Sequence, residues 1–129
     1  MPVSVAPMPT LQQVQDWLDA YVEAWRTYDA DLIGGLFAED ASYAYTPWDE
    51  PTRGRRAIVA EWLADQDAPG SWDAEYHPLI VSDSGVVARG QTRYANGDTY
   101  ENLWLLEFDG NGRCTKYVDW YMERPDGEG

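Results

Sequence analysis

His77 is the only histidine among 129 residues. With Asp119 it forms the pair of side chains best suited to moving a proton. Imidazole is the one group whose ordinary pKa allows transfer near neutrality. Asp119 stands among Tyr117, Trp120 and Tyr121. A carboxylate walled by aromatics loses hydration, which raises its pKa into the range of a general acid or base. A plainer role stands beside each: His77 as a half-exposed strand histidine, Asp119 as the partner of Arg89 or Arg93 in a salt bridge. Arg89 in turn either orients that carboxylate or binds an anionic substrate group. Tyr21, Tyr45 and Asn102 carry hydrogen-bonding groups that would polarise a substrate oxygen. Tyr45 is counted with His77 and Asp119 as catalytic, while Trp25, Trp48, Trp62 and Trp104 would wall the substrate. One histidine and one cysteine far apart make no usual metal site, so no metal is expected. There is no glycine-rich phosphate loop, dinucleotide fingerprint or nucleophile elbow. What remains is proton transfer, expected to need no cofactor.

These groups need a scaffold, and the second half of the chain supplies one. Asp83-Ser84-Gly85, Asn96-Gly97 and Gly110-Asn111-Gly112 divide residues 72–123 into a four-stranded antiparallel meander. A two-residue turn at Asn96-Gly97 puts Arg93 opposite Tyr100, Gln91 opposite Asn102 and Arg89 opposite Trp104. Alternation then adds Tyr117, Asp119 and Tyr121 to that face. With a three-residue turn at Asp83–Gly85, His77 lies across from Gln91, again on the same face, unless Pro78 inserts a bulge. The opposite face carries Val86, Ala88, Leu103, Leu105, Val118, Trp120 and Met122, with Glu101 exposed. The polar face holds too much aromatic surface for water and too many hydrogen-bonding groups for a sealed core. It is expected to enclose a cavity, with Trp48 at the mouth on the Pro47–Gly54 loop.

Helices precede the meander. Thr10 and Gln13 form a capping box, and Leu11, Val14, Leu18, Val22 and Trp25 recur at helical spacing. Trp17, Tyr21, Trp25 and Tyr28 make an adjacent stripe, which is either all core or directs the Tyr21 hydroxyl into the cavity. Asp29 caps a short helix holding Leu32, Ile33, Leu36 and Phe37. Residues 41–46 alternate as a strand, and a third helix follows Gly54 with Ile58, Val59, Trp62 and Leu63 buried. Helices followed by antiparallel strands mean an α+β fold with helices on one face of a curved sheet. Residues 1–9 are expected to be a flexible arm, 10–124 a single domain and 125–129 a flexible tail.

The net charge of −14, with eight arginines and one lysine, argues against nucleic acid or an anionic membrane as partner. No stretch approaches the roughly 20 apolar residues of a membrane helix. The first nine residues lack the basic and apolar regions of a signal peptide. Cys114, the single cysteine, reads as structural and suits a reducing, cytoplasmic compartment.

Over about residues 10–123 the chain resembles the nuclear transport factor 2-like superfamily, which includes ketosteroid isomerases, scytalone dehydratase and SnoaL-like polyketide cyclases. The resemblance rests on Tyr21-Val22 and Trp25, Asp29 and Asp31, and Leu36-Phe37-Ala38-Glu39-Asp40-Ala41. It continues through the Pro47, Pro51, Gly54 loop into Ala57-Ile58, and closes on Phe108-Asp109 and Gly112-Arg113. It implies a cone, with a curved, mostly antiparallel sheet wrapped around the N-terminal helix. One fold hosts many functions. Beside ketosteroid isomerase, Tyr21 matches the tyrosine that donates to the developing oxyanion, but the two essential aspartates fall on Tyr45 and Trp104. Beside scytalone dehydratase, Tyr45, His77 and Asn102 match pocket residues. The aspartate of that enzyme's Tyr-Asp pair falls on Arg26, and its second histidine has no counterpart.

Two functions remain open, beside a purely structural or interaction domain whose outer sheet face pairs with a copy of itself. One is a cofactor-independent lyase, isomerase or cyclase acting on a small, largely apolar oxygen compound. The other is a non-catalytic binding protein using the same pocket. The apolar strip on the outer sheet face predicts a homodimer in either case.

Overall fold

The computed structural model describes residues 8–125. The arm and tail expected at the termini therefore lie outside the described residues except at their inner ends. Three helices, α1 (Leu11–Thr27), α2 (Ala30–Gly35) and α3 (Arg55–Ala64), accompany six strands. These are β1 (Phe37–Ala44), β2 (Thr52–Arg53), β3 (Trp72–Val81), β4 (Val86–Tyr94), β5 (Thr99–Phe108) and β6 (Cys114–Glu123). They form one open sheet in the order β2-β1-β6-β5-β4-β3, antiparallel except where β1 runs beside β6. No described helix is long and apolar enough to cross a membrane.

The Thr10–Gln13 capping box starts α1 in both directions: the Thr10 hydroxyl accepts from the Gln13 amide, and the Gln13 side chain accepts from Thr10 N–H. One stripe of α1 (Val14, Trp17, Leu18, Tyr21 and Ala24) is buried, while Leu11 is exposed. Trp17 anchors the helix by donating its indole N–H to Leu36 O at 2.9 Å. Burial of each large apolar side chain contributes about 1.5–3 kcal/mol, so this stripe holds the helix inside the cone. Asp29 caps α2 through the amides of Asp31 and Leu32. Phe37, expected on that helix, instead opens β1. In α3, Ile58 and Trp62 are buried and Val59 is partly so, whereas Leu63 lies toward solvent.

The meander occupies the expected span, but one hairpin differs by one residue, and that difference inverts two strands. Tyr94 pairs with Asp98, its N–H donating to Asp98 O at 2.9 Å, around a three-residue loop of Ala95, Asn96 and Gly97. Gly97 alone in this loop has positive φ (103°). The two-residue turn needs positive φ at both central positions. Asn96 instead accepts the Asp98 amide on its side chain at 2.9 Å. The register is therefore Thr92 to Tyr100, Gly90 to Asn102 and Ala88 to Trp104. A slip of one residue sends every side chain of a strand to the other face. Arg89, Gln91 and Arg93 thus lie on the outer, convex face. Val86 and Ala88, expected outside, are core residues 3 % and 1 % exposed.

The next strand follows β4. A bulge between Pro78 and Ile80 sets His77 opposite Arg89 rather than Gln91. The grouping of His77 with Arg89 and Gln91 on one face holds, but that face is the outer one. Gly90 pairs with Tyr76 of β3, and no side chain fits there. A Cβ there would stand 2.0 Å from Glu75 O and 2.4 Å from the Tyr76 ring.

Candidate functional site

The concave face of the sheet, closed by α1 and α3, surrounds a cavity of about 520 Å³. Tyr21, Trp25, Tyr45, Trp62, Asn102, Trp104 and Asp119 all line it. His77, Arg89 and Trp48 do not. His77 is exposed, its Nδ1 3.0 Å from Gln15 Oε1, and it faces away from Asp119. The proposed pairing of His77 with Asp119 is therefore geometrically impossible. Trp48 is 81 % exposed on its loop. Arg93 pairs with Asp73 at 2.8 Å on the outer surface, and neither arginine reaches Asp119.

Asp119 is 7 % exposed in the cavity wall, on β6 opposite Trp104. Burial pushes its carboxyl up from 3.8 to about 6, opposed by donation from Asn102 and, more weakly, by the nearness of the Trp104 N–H. Asn102 Nδ2 lies 3.2 and 3.3 Å from the two carboxylate oxygens. The Trp104 N–H falls short of full hydrogen-bond geometry and has no partner. Asn102 is itself held by a directed chain. The Thr92 hydroxyl donates to Asn102 Oδ1 at 2.9 Å, which requires Tyr76 to donate to Thr92 at 2.5 Å. Every donor in this relay points toward Asp119, so the amide orientation is determined by its neighbours.

The closed end carries a second polar group. Tyr21 Oη lies 2.5 Å from Tyr43 Oη and 3.3 Å from Tyr117 Oη. Tyr21 stacks on Tyr117, with ring planes 6° apart. All three rings are at most 5 % exposed. Burial raises their phenol pKa values, so each keeps its proton. Three hydroxyls sharing two hydrogen bonds leave one O–H to donate to a ligand oxygen. Trp62 and Trp104 add two buried indole N–H groups without partners. Leaving such a donor unsatisfied costs about 1–3 kcal/mol, and a ligand acceptor would recover it. Tyr45, 45 % exposed, stands at the rim against Tyr43.

Sequence reasoning omitted Tyr76 and Thr92, because the wrong hairpin register put both strands' inward residues outside. It also left Tyr43 and Tyr117 out of the site, although their positions on alternating strands had placed Tyr117 on the right face. Among the described residues no cluster of three histidine, cysteine or acidic side chains could hold a metal ion. Cys114 is fully buried, its thiol pKa pushed up by desolvation.

No curated protein matches this sequence. Solved structures show the same fold. A candidate ketosteroid isomerase from Kribbella flavida DSM 17836 is 16 % identical, with a TM-score of 0.67 over 92 % of this chain and 84 % of that one. A nuclear transport factor 2-like protein from Burkholderia xenovorans LB400 gives 18 % identity and a TM-score of 0.70 over 92 % and 89 %. Another from Mesorhizobium loti gives 18 % and 0.64 over 93 % and 99 %. The family model for the SnoaL-like domain matches residues 18–121. The cone, its enclosed cavity and this match together place the chain in the SnoaL-like domain family of the nuclear transport factor 2-like superfamily.

Proposed function

We propose that this protein is a lyase, isomerase or cyclase that moves a proton on a small, largely apolar oxygen-containing compound, with Asp119 as the proton carrier. The observation that carries this reading is a buried carboxylate, raised to about 6, in the wall of a cavity whose far end presents spare hydroxyl and indole donors. A base works best when its pKa lies near the operating pH. As Asp119 removes a proton from carbon next to a substrate carbonyl, negative charge develops on the carbonyl oxygen. The tyrosine cluster of Tyr21, Tyr43 and Tyr117, with the Trp62 and Trp104 N–H groups, would stabilise that charge. Protonated Asp119 then returns the proton at the same or another position, or protonates a leaving hydroxyl. His77 has no part in this scheme, and Tyr45 serves the rim.

The test is exchange of the α-protons of 2-tetralone in D2O, followed by proton NMR. Exchange well above buffer that disappears in Asp119→Asn supports the enzyme. Binding of the ketone with no acceleration supports the second reading, a non-catalytic binding protein. That alternative draws on the replacement of both isomerase aspartates by Tyr45 and Trp104, which makes the pocket more apolar.

A homodimer through the outer face belongs to the same proposal. Leu103, Leu105, Trp120 and Met122 are 38, 40, 50 and 74 % exposed there. Apolar surface of this extent favours association. Light scattering at micromolar concentration should give twice the monomer mass, and a monomer would refute the dimer.

A further inference from the structure

We infer that the pocket's ligand is a cation: a flat, ring-bearing amine that places its ammonium at the rim and an acceptor oxygen at the closed end. This rests on the cavity being a small-molecule site, as proposed above, and names the class of molecule it takes.

The charge of the lining carries the inference. Its ionisable acids are Asp65, Asp67, Asp98 and Asp119, and no lysine, arginine or histidine among the described residues lines it. The ion pairs of the described residues are Glu50 with Arg53, Asp73 with Arg93, and Glu101 with Arg124. None involves the cavity carboxylates. Asp67 accepts the Trp25 indole N–H at 2.9 Å through one oxygen, leaving the other open. Asp98 accepts only from Asn96, at 3.2 Å. These carboxylates converge on the mouth. The Tyr94 hydroxyl is pushed up to about 12 by burial and then by the Asp67 charge, and Tyr45 is raised by its own burial and then by the charges of Glu61 and Asp65.

Between the carboxylates stand the rings of Trp25, Tyr28, Tyr94 and Tyr100. The face of an aromatic ring is electrically negative and attracts an ammonium, by about 0.5–2 kcal/mol. An anionic ligand would meet only repulsion at this mouth, and a neutral one would gain no attraction from the carboxylates. The net charge of −14 further draws cations toward the protein. At the closed end the demand reverses. Trp62, 6 % exposed, lacks an acceptor for its indole N–H, and the Tyr21, Tyr43 and Tyr117 cluster has one O–H to spare. An oxygen on the ligand's inner end answers them. The volume of about 520 Å³ suits a drug-sized molecule of this kind.

The test compares three probes of one shape by calorimetry at pH 7.5 and low salt: 2-naphthylmethylamine, 2-naphthylmethanol and 2-naphthoate. The amine is expected to bind at least about tenfold more tightly than the alcohol, with naphthoate weakest. Asp67→Asn combined with Asp98→Asn should bring amine and alcohol to within about threefold of each other. Should that pair fail to fold by near-ultraviolet circular dichroism, Asp65→Asn at the exposed rim should still reduce the preference. An alcohol or naphthoate that binds as tightly as the amine overturns the cation inference and leaves the pocket standing. A preference untouched by the rim variants also overturns it. Failure of all three probes to bind overturns both this inference and the small-molecule site on which it rests.

Discussion

Replacing Asp119 with asparagine should make the protein more stable at neutral pH, by an amount that its environment determines. The carboxyl rises from 3.8 to about 6 on folding, chiefly because burial disfavours its charged form. Each pKa unit corresponds to about 1.4 kcal/mol, so ionised Asp119 costs the folded state about 3 kcal/mol. The sign follows from proton binding. The folded protein holds this proton more tightly than the unfolded chain, so the stabilisation from the bound proton is complete below about pH 4. It is lost as pH rises through about 6 and is absent at pH 7.5. Asparagine carries no charge, and its side-chain oxygen can still accept from Asn102. Denaturant titrations of both proteins from pH 3.5 to 8 should show equal stabilities at the acid end. The variant should lead by about 3 kcal/mol at pH 7.5, a difference in Tm of roughly 10 °C for a chain of this size. The difference between the proteins is the quantity to follow, since the other acidic residues contribute to both curves alike. A lead that does not change with pH, or a variant weaker than the parent at pH 7.5, would refute the argument that Asp119 is a desolvated carboxylate kept at a cost in stability.

His77→Ala should alter stability by less than about 0.5 kcal/mol and leave cavity binding unchanged, because the side chain is exposed and holds only Gln15; loss of binding would mean that the β3 face is misassigned. Gly90→Ala should destabilise by several kcal/mol or prevent folding, since its Cβ meets Glu75 O at 2.0 Å and backbone cannot move aside cheaply; a well-folded variant in urea titration would show that β3 and β4 are farther apart. Trp104→Ala should cost about 3–5 kcal/mol and shift ligand preference toward bulkier rings, measurable by denaturation and calorimetry. An unchanged preference would remove Trp104 from the cavity wall.

Local signals in the chain were sufficient for the elements. The Thr10–Gln13 box, Asp29, Gly54 and the three meander turns act over three or four residues, and each marks an element boundary in the structure. The inward row of β5 and β6 was equally legible. Asn102, Trp104, Tyr117, Asp119 and Tyr121 alternate with Leu103, Leu105, Val118 and Trp120, and alternation alone assigns them to opposite faces. Tyr21 and Trp62 followed from helical spacing. Alternation leaves open which face of one strand joins which face of the next, because that depends on a single residue in the connecting loop. Asn96-Gly97 is compatible with loops of two or three residues, and only the assembled sheet selects the longer one, with Gly97 alone at positive φ. That choice turned His77 and Arg89 outward and brought Tyr76, Thr92 and Gly90 inward. The charge of the cavity was likewise a tertiary outcome: Asp65 and Asp67 follow α3 while Asp98 lies in the β4–β5 hairpin, and they line one cavity only because those two connections meet there.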